Sequence, residues 1–235
     1  KPREFRPVFY LAEALFATGD FTQAEQHYRT AAELDPKSAA AQLGLGRSRA
    51  RQQRIEEAAG NFRRAAELDV LFSDALLELA ALYEGEGKTA EAVALYLKFP
   101  DDTGARERAG GMLLESKQPA EAIPHLLWAV EKSPTPANRA ALATAYLKTE
   151  QLAKALPLLE QALETEPASV ELRMMYGRTL RDLKNYQAAA AEFWRVAQAK
   201  PDSADAWSEL AGMLILLENY PQALAALDRL KALGA

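Results

Sequence analysis

The 235-residue chain contains no cysteine. Disulfides, thiolate metal sites and thiol chemistry are therefore excluded. No apolar run approaches the roughly 18 residues that a membrane span needs. A basic excess is missing as well, because the net charge is −5, and this argues against a general nucleic-acid or anionic-membrane surface. We therefore expect no nucleic-acid partner and no membrane insertion.

What the chain does contain is a repeated pattern, Ala-x3-Tyr-x2-Ala-x4-Pro, which first appears at residues 24–36. Variants of the pattern follow at steps of about 34 residues, with one shorter step of 30. The alanines that lead the seven copies are Ala24, Ala58, Ala92, Ala122, Ala155, Ala189 and Ala223. A regular period of this length is the signature of a repeat array, and such an array offers a long surface for partners.

Each copy is predicted to be two helices joined by a short turn. In the first copy, apolar periodicity predicts helices over about 5–17 and 22–34. Gly19 suits the left-handed residue that ends a helix, and Asp20 or Thr22 suits the cap of the next one. The pair Asp35-Pro36 ends the copy, because proline disfavours helical geometry in the residue before it.

The first helices carry a second pattern, which is Trp207-x2-Leu210-Ala211-x2-Leu214 in the last copy and includes Tyr176-Gly177 in the sixth. Together the two patterns resemble the tetratricopeptide repeat. The resemblance implies an all-α fold, an α-solenoid of about seven antiparallel helix pairs in a right-handed superhelix. We expect one domain over residues 1–235, with repeats at about 5–38, 39–72, 73–102, 103–135, 136–169, 170–203 and 204–235.

The short step lies between the third and fourth repeats. The second helix of the third repeat is predicted to stop at Lys98-Phe99-Pro100, and residues 101–103 begin the next helix. Gly111 then weakens that helix by about 1 kcal/mol relative to alanine. We hypothesise that residues 98–112 form a kink or a weak point in the array.

No group of residues in the sequence fits a catalytic centre. His27 and His125 occupy the same position of two repeats that are three repeats apart, so they cannot share a site. The glycines of Leu43-Gly44-Leu45-Gly46 lie inside a predicted helix and are not followed by the Lys-Ser/Thr of a phosphate loop. We therefore expect no enzyme activity, no cofactor and no metal site.

The resemblance implies that the first helices line a concave, peptide-binding face. The candidate residues on that face are Phe9, Phe16, Leu43, Arg47, Arg51, Leu77, Glu107, Thr144, Lys148, Met174, Arg178 and Arg181. Two basic spots are expected on this face. One consists of Arg47 and Arg51 with Arg54 nearby, and the other consists of Arg178 and Arg181. An arginine fork suits carboxylates or phosphates of a ligand; the alternative is that neighbouring Glu and Asp side chains of the chain itself accompany these charges.

The predicted function is a non-catalytic protein–protein interaction scaffold that binds a peptide or protein segment in its concave groove. One alternative is a recruitment or regulatory region of a larger enzyme or of a secretion or assembly machine. Another is self-assembly through uncapped ends, because Leu227, Leu230 and Leu233 share one face of the last helix with no capping helix after it. We expect a soluble chain, and the sequence leaves a cytoplasmic and a periplasmic location equally open.

Overall fold

The computed structural model describes residues 4–234, which form fourteen α-helices, a 3₁₀ turn at Val70–Phe72 and no strand. The helices are α1 (Phe5–Ala17), α2 (Phe21–Leu34), α3 (Ala39–Arg51), α4 (Ile55–Leu68), α5 (Ala75–Gly85), α6 (Thr89–Tyr96), α7 (Thr103–Glu115), α8 (Pro119–Lys132), α9 (Pro136–Lys148), α10 (Leu152–Thr165), α11 (Val170–Asp182), α12 (Tyr186–Ala199), α13 (Ala204–Leu216) and α14 (Tyr220–Ala232). The predicted all-α fold with seven helix pairs is confirmed.

By its internal contacts the chain divides into two compact parts, unit 1 through Ala109 and unit 2 from Gly110. In unit 1, α1 packs on α2, α3 on α4 and α5 on α6, while α2 also packs on α3 and α4 on α5. Unit 2 repeats this order from α8 to α14. The extent of one domain over residues 1–235 stays a prediction.

Polar side chains cap the starts of helices, and turns with a left-handed residue follow the ends of first helices. The side chain of Asp20 accepts a hydrogen bond from the backbone N–H of Gln23 at 3.0 Å, which confirms the predicted cap of α2. Gly19 has the expected positive φ of 88°. The equivalent turn residues Gln53, Lys117, Glu150, Lys184 and Glu218 also have positive φ. For these residues the left-handed conformation costs about 1 kcal/mol or more each, so packing of the flanking helices must hold the turns.

In three pairs, a glycine of the first helix, Gly46, Gly110 or Gly177, meets a large side chain of the second helix. A Cβ atom added to Gly177 of α11 would lie 2.7 Å from the Phe193 ring of α12. The leading alanines are at most 2% exposed. The side chains four residues after them are fully buried in six repeats, at Tyr28, Phe62, Tyr96, Leu126, Leu159 and Phe193. The repeated pattern therefore encodes the packing of each helix pair.

The short step has the predicted form. Helix α6 has only 8 residues, whereas α4 has 14. A Cβ at Gly110 would lie 2.7 Å from the Leu126 side chain, but one at Gly111 would meet nothing within 4 Å. Packing therefore requires the first glycine and not the second. The division between units 1 and 2 falls inside residues 98–112; the weak point itself stays a prediction.

A buried carboxylate joins the first two repeats of unit 1. Glu25 of α2 is 4% exposed and accepts hydrogen bonds from Arg49 at 3.1 Å, Gln52 at 3.0 Å and Arg54 at 2.6 Å. Burial raises the pKa of Glu25, but these hydrogen bonds lower it further than burial raises it, so its pKa lies below the usual value. The carboxylate is thus held ionised between α2 and the end of α3.

We expect Glu25→Gln to lower the free energy of unfolding by about 1–3 kcal/mol at pH 7, because a neutral amide weakens the hydrogen bonds from Arg29, Arg49 and Arg54. The folded pKa is depressed, so this stabilisation is complete above about pH 4.5 and is lost as the pH falls through the folded value. Urea unfolding of both proteins at pH 7 and near pH 3 measures the difference. Glu33→Gln, at an exposed position of the same helix, is the matched control. An equal difference at both pH values would contradict the prediction.

Candidate peptide-binding clefts

Four of the predicted concave-face residues come together in unit 1. Phe9 and Phe16 of α1 and Leu43 and Arg47 of α3 line one cleft of about 220 Å³. The ring of Phe9 also packs edge-on against the buried ring of Tyr28, with centroids 5.8 Å apart. The cleft therefore has apolar walls that are anchored to the core of the first helix pair.

The polar groups of this unit 1 cleft already have partners inside the chain. The Arg47 Nε–H donates to Glu78 of α5, with Nε 2.8 Å from Oε2, and this hydrogen bond raises the pKa of the guanidinium. The Tyr28 hydroxyl donates to Glu13. Burial and that hydrogen bond raise the pKa of Tyr28. At the wall of this cleft, the predicted arginine is thus accompanied by a carboxylate of the next first helix.

The other two arginines of the predicted first basic spot lie away from the cleft. The Arg51 guanidinium stacks over the Phe21 ring, with its Cζ 4.6 Å from the ring centroid. Arg54 binds Glu25 and Glu57. The three arginines of this spot therefore contact three different sets of side chains and do not converge.

A second cleft lies in unit 2. Met174, Arg178 and Arg181 of α11 line a volume of about 540 Å³ together with Leu147 and Met175. Met174 is buried, whereas Met175 and Leu147 are half-buried. Methionine adapts its shape to different apolar ligands, so this wall suits a variable apolar contact.

The arginines of the unit 2 cleft share a carboxylate. Glu209 of α13 accepts from Arg178 Nε at 2.8 Å and from Arg181 Nη1 at 2.6 Å. Arg178 also pairs with Asp205, and Arg181 with Asp182. The hydrogen bond to Glu209 raises the pKa of Arg178. For Arg181, burial lowers the pKa, and the hydrogen bonds to the two carboxylates more than offset this effect. The second basic spot is thus also accompanied by internal acids.

The remaining predicted residues line neither of these two clefts. Leu77 of α5 and Glu107 of α7 are half-buried. The Thr144 hydroxyl donates to the Ala140 carbonyl at 2.8 Å within α9, and Lys148 is exposed at the end of that helix. Their role in binding stays a prediction.

Phe72 lines the unit 1 cleft although the sequence pattern did not predict it. It belongs to the 3₁₀ turn after α4, where periodicity assigns no inward position. Its neighbours Val70 and Leu71 are 78% and 84% exposed. At the end of the second repeat, Val70 stands where the first repeat has Pro36. This missing proline was the only signal of the apolar turn in the sequence.

His27 lies on α2 of unit 1 and His125 on α8 of unit 2, and both are half-buried. Nowhere in residues 4–234 do three histidine, aspartate or glutamate side chains gather closely enough to hold a metal ion. The same residues include no helix with the length and apolar character of a membrane span.

Part of this chain is similar in sequence to a known protein. The Vi polysaccharide export protein VexE of Salmonella typhi is 39% identical over 74 residues, which make up 32% of this chain. This chain spans only 11% of the length of VexE. The sequence similarity to VexE is thus confined to a minor part of both proteins.

Solved structures share the fold. MamA from Desulfovibrio magneticus RS-1 superposes with a TM-score of 0.58 at 22% identity, over 70% of this chain and 96% of MamA. A tetratricopeptide repeat protein from Parabacteroides merdae ATCC 43184 gives a TM-score of 0.56 at 15% identity, over 98% of this chain and 93% of that protein.

The family profile of the tetratricopeptide repeat matches residues 9–69, 45–104 and 140–204. These matches cover more than half of the chain, and they include the residues of both clefts that lie on α3 and α11. Stacked helix pairs of this kind provide extended surfaces for protein partners. This chain is a member of the tetratricopeptide repeat family, whose fold is a protein-interaction scaffold.

Proposed function

We propose that the chain is a non-catalytic scaffold that binds a peptide or protein segment along the first-helix faces of its units. The observation that carries this proposal is the pair of clefts, about 220 Å³ in unit 1 and about 540 Å³ in unit 2. Both are lined by side chains of first helices, with apolar walls and arginines at the rim. A preformed cleft binds an extended segment with little rearrangement.

The ion pairs change what the arginines contribute to binding. Arg47 uses its Nε–H and one Nη2–H on Glu78, and a guanidinium has five N–H donors. An acidic ligand would have to displace the Glu78 carboxylate, whereas a backbone carbonyl can accept a hydrogen bond from one of the remaining N–H groups. We propose that these arginines bind main-chain carbonyls of the segment and that apolar side chains of the segment enter the clefts.

The absence of enzyme activity belongs to this proposal. The two histidines belong to different units, and Glu13, Glu78 and Glu209 beside the two clefts are engaged with tyrosine or arginines. A general acid or base must be within reach of the proton that it transfers, and these three carboxylates are already occupied by contacts inside the chain. These features support binding rather than catalysis.

We expect peptides selected on the full chain from a displayed random library to bind the clefts. The double variant Leu43→Asp/Leu147→Asp places a charge in each cleft and should weaken the selected peptides by about tenfold or more in fluorescence anisotropy. The matched control is Leu97→Asp/Leu127→Asp, at two exposed leucines, one directly after α6 and one on α8. Circular dichroism checks that both variants are folded. Equal affinities for wild type and the cleft variant would refute cleft binding.

A second candidate function follows from the similarity to VexE over 74 residues. We propose, as this alternative, that the chain is the recruitment region of an assembly that exports a polysaccharide. Deleting its gene should then reduce the polysaccharide at the cell surface, as measured by surface staining, and the wild-type gene should restore it. Surface polysaccharide that is unchanged by the deletion would exclude this candidate and leave the binding function intact.

Self-association is a further candidate because one face of the last helix pair is uncovered. Leu224 and Leu227 of α14 are 63% and 39% exposed, whereas the equivalent Ala190 and Phe193 are buried. If a second copy covers this face, sedimentation velocity should show a larger species as concentration rises, and Leu224→Lys/Leu227→Lys should abolish it. Two lysines at exposed Ala225 and Asp228 are the control. A wild-type monomer at all concentrations would rule out this mode.

A further inference from the structure

A groove on the second-helix side of unit 2 differs from its counterpart one repeat earlier. It lies between α12 and α14, above side chains of α13, and has a volume of about 620 Å³. Its walls include the small residues Ala190, Ala191, Ala225 and Ala226, and Trp194 stands at one end. None of the arginines or methionines of the two clefts lines this groove.

The groove one repeat earlier is filled by an ion pair. There Glu192 of α12 pairs with Arg173 of α11 at 2.6 Å, and also with Arg195. The residues around this pair leave only about 300 Å³. The position of Glu192 is three residues after the leading alanine. In the seven repeats this position holds His27, Asn61, Leu95, His125, Leu158, Glu192 and Ala226. The last repeat alone carries alanine, which leaves the larger groove open.

Trp207 and Trp194 stand at positions that hold charged residues, Arg173 and Glu160, one repeat earlier. Trp207 stands at the position of Arg173, and each donates to the carbonyl of the proline six residues earlier, Trp207 to Pro201 at 2.9 Å. Trp194 takes the position that lies five residues after the leading alanine. In the other repeats this position holds Arg29, Arg63, Leu97, Leu127, Glu160 and Asp228. A groove filled by an ion pair has thus become an open one with alanine and tryptophan side chains in its walls.

Two groups at the same end of this groove have no partner. Trp194 is 53% exposed, and its indole N–H makes no hydrogen bond within residues 4–234. Arg229 of α14 lines the groove and is exposed, and it has no carboxylate partner in that same part of the chain. The arginines of the unit 2 cleft, Arg178 and Arg181, both have carboxylate partners. The groove therefore combines an apolar surface with an uncompensated positive charge.

We propose that this α12–α14 groove binds an amphipathic helix of a partner protein, with an aliphatic face against the alanines and Trp194 and an acidic side chain on Arg229. Charge complementarity selects the acid, because an unpaired guanidinium prefers a carboxylate in bidentate geometry. The alanine walls let another helix approach closely, as small residues do at helix contacts.

The hydrogen-bonding groups of the groove favour a helix over an extended segment. An extended backbone needs donors and acceptors along its length, whereas a helix satisfies its own. The groove offers the amides of Gln187, Gln222 and Asn219, and the last two already bond to each other at 3.0 Å. Its wall from Gln187 to Trp194 spans two helical turns, the length over which a bound helix presents anchors at i, i+3 or i+4 and i+7.

The test uses helical peptides of about 16 residues, selected from a displayed library on the full chain that carries Leu43→Asp/Leu147→Asp. That background removes binding at the two clefts, so a failed cleft proposal does not affect the outcome. We expect the selected peptides to share aliphatic residues at helical spacing and at least one Asp or Glu. Trp194→Ala should weaken them by about tenfold or more, and Arg229→Gln by about threefold to tenfold.

A blocking variant separates groove binding from a general loss of structure. In Ala225→Glu, the new carboxylate lies four residues before Arg229 on the same helix, the spacing of a helical ion pair. It should fill the exposed groove and compete with the peptide, lowering affinity by about tenfold with unchanged circular dichroism. Leu127→Ala, five residues after its own leading alanine, is the matched control for Trp194→Ala and should change nothing. The proposal is overturned by selected peptides without acidic residues, by Trp194→Ala binding within twofold of the parent, or by a selection that yields no helix.

Discussion

The close contact between a glycine of the first helix and a large residue of the second, found in three of the pairs, is the constraint on which the rest of this structure depends. At Gly177 and Phe193 even one added methyl group would lie 2.7 Å from the ring. This approach fixes the distance between the paired helices, and stacking of the pairs then fixes which side chains face outward. The clefts of both units and the α12–α14 groove exist because this spacing repeats.

Electrostatics follows the same geometry. One first helix places its arginine beside a carboxylate of the next first helix, as Arg47 does with Glu78 and Arg178 with Glu209. Exposed pairs of this kind contribute little to stability individually, but they determine the chemistry that the clefts offer to a ligand. In the proposed binding mode, a ligand would meet guanidinium groups whose charge is already compensated. Recognition would then depend on shape, apolar contact and the spare N–H donors.

Departures from the repeat carry the features that are individual to this chain. In the second repeat the missing proline becomes an apolar 3₁₀ turn that brings Phe72 to the unit 1 cleft. In the last repeat Ala226 replaces the larger residue found at this position in the other repeats, so the groove beside Trp194 is open. Both changes replace a residue that fills a groove or ends a repeat, and both leave apolar side chains exposed.

The sequence by itself determined the helix pairs, the family and the short step at α6. These features rest on local signals: the periodicity of apolar residues, a glycine such as Gly19 at a turn, and the lengths of the repeats. The resemblance to the tetratricopeptide repeat also assigned Phe9, Phe16, Leu43 and Arg47 to one face, and these four side chains do line one cleft. Their role in binding stays a prediction.

Only the tertiary structure decided which of these residues meet and which charges are paired. Glu78 lies 31 residues from Arg47, and Glu209 reaches Arg178 and Arg181 from the next repeat. Nothing in the spacing of one repeat distinguishes these arginines from Arg229, which has no partner among the described residues. Charge compensation between repeats depends on the rotation of one pair against the next, and that rotation is a property of packing rather than of any local pattern.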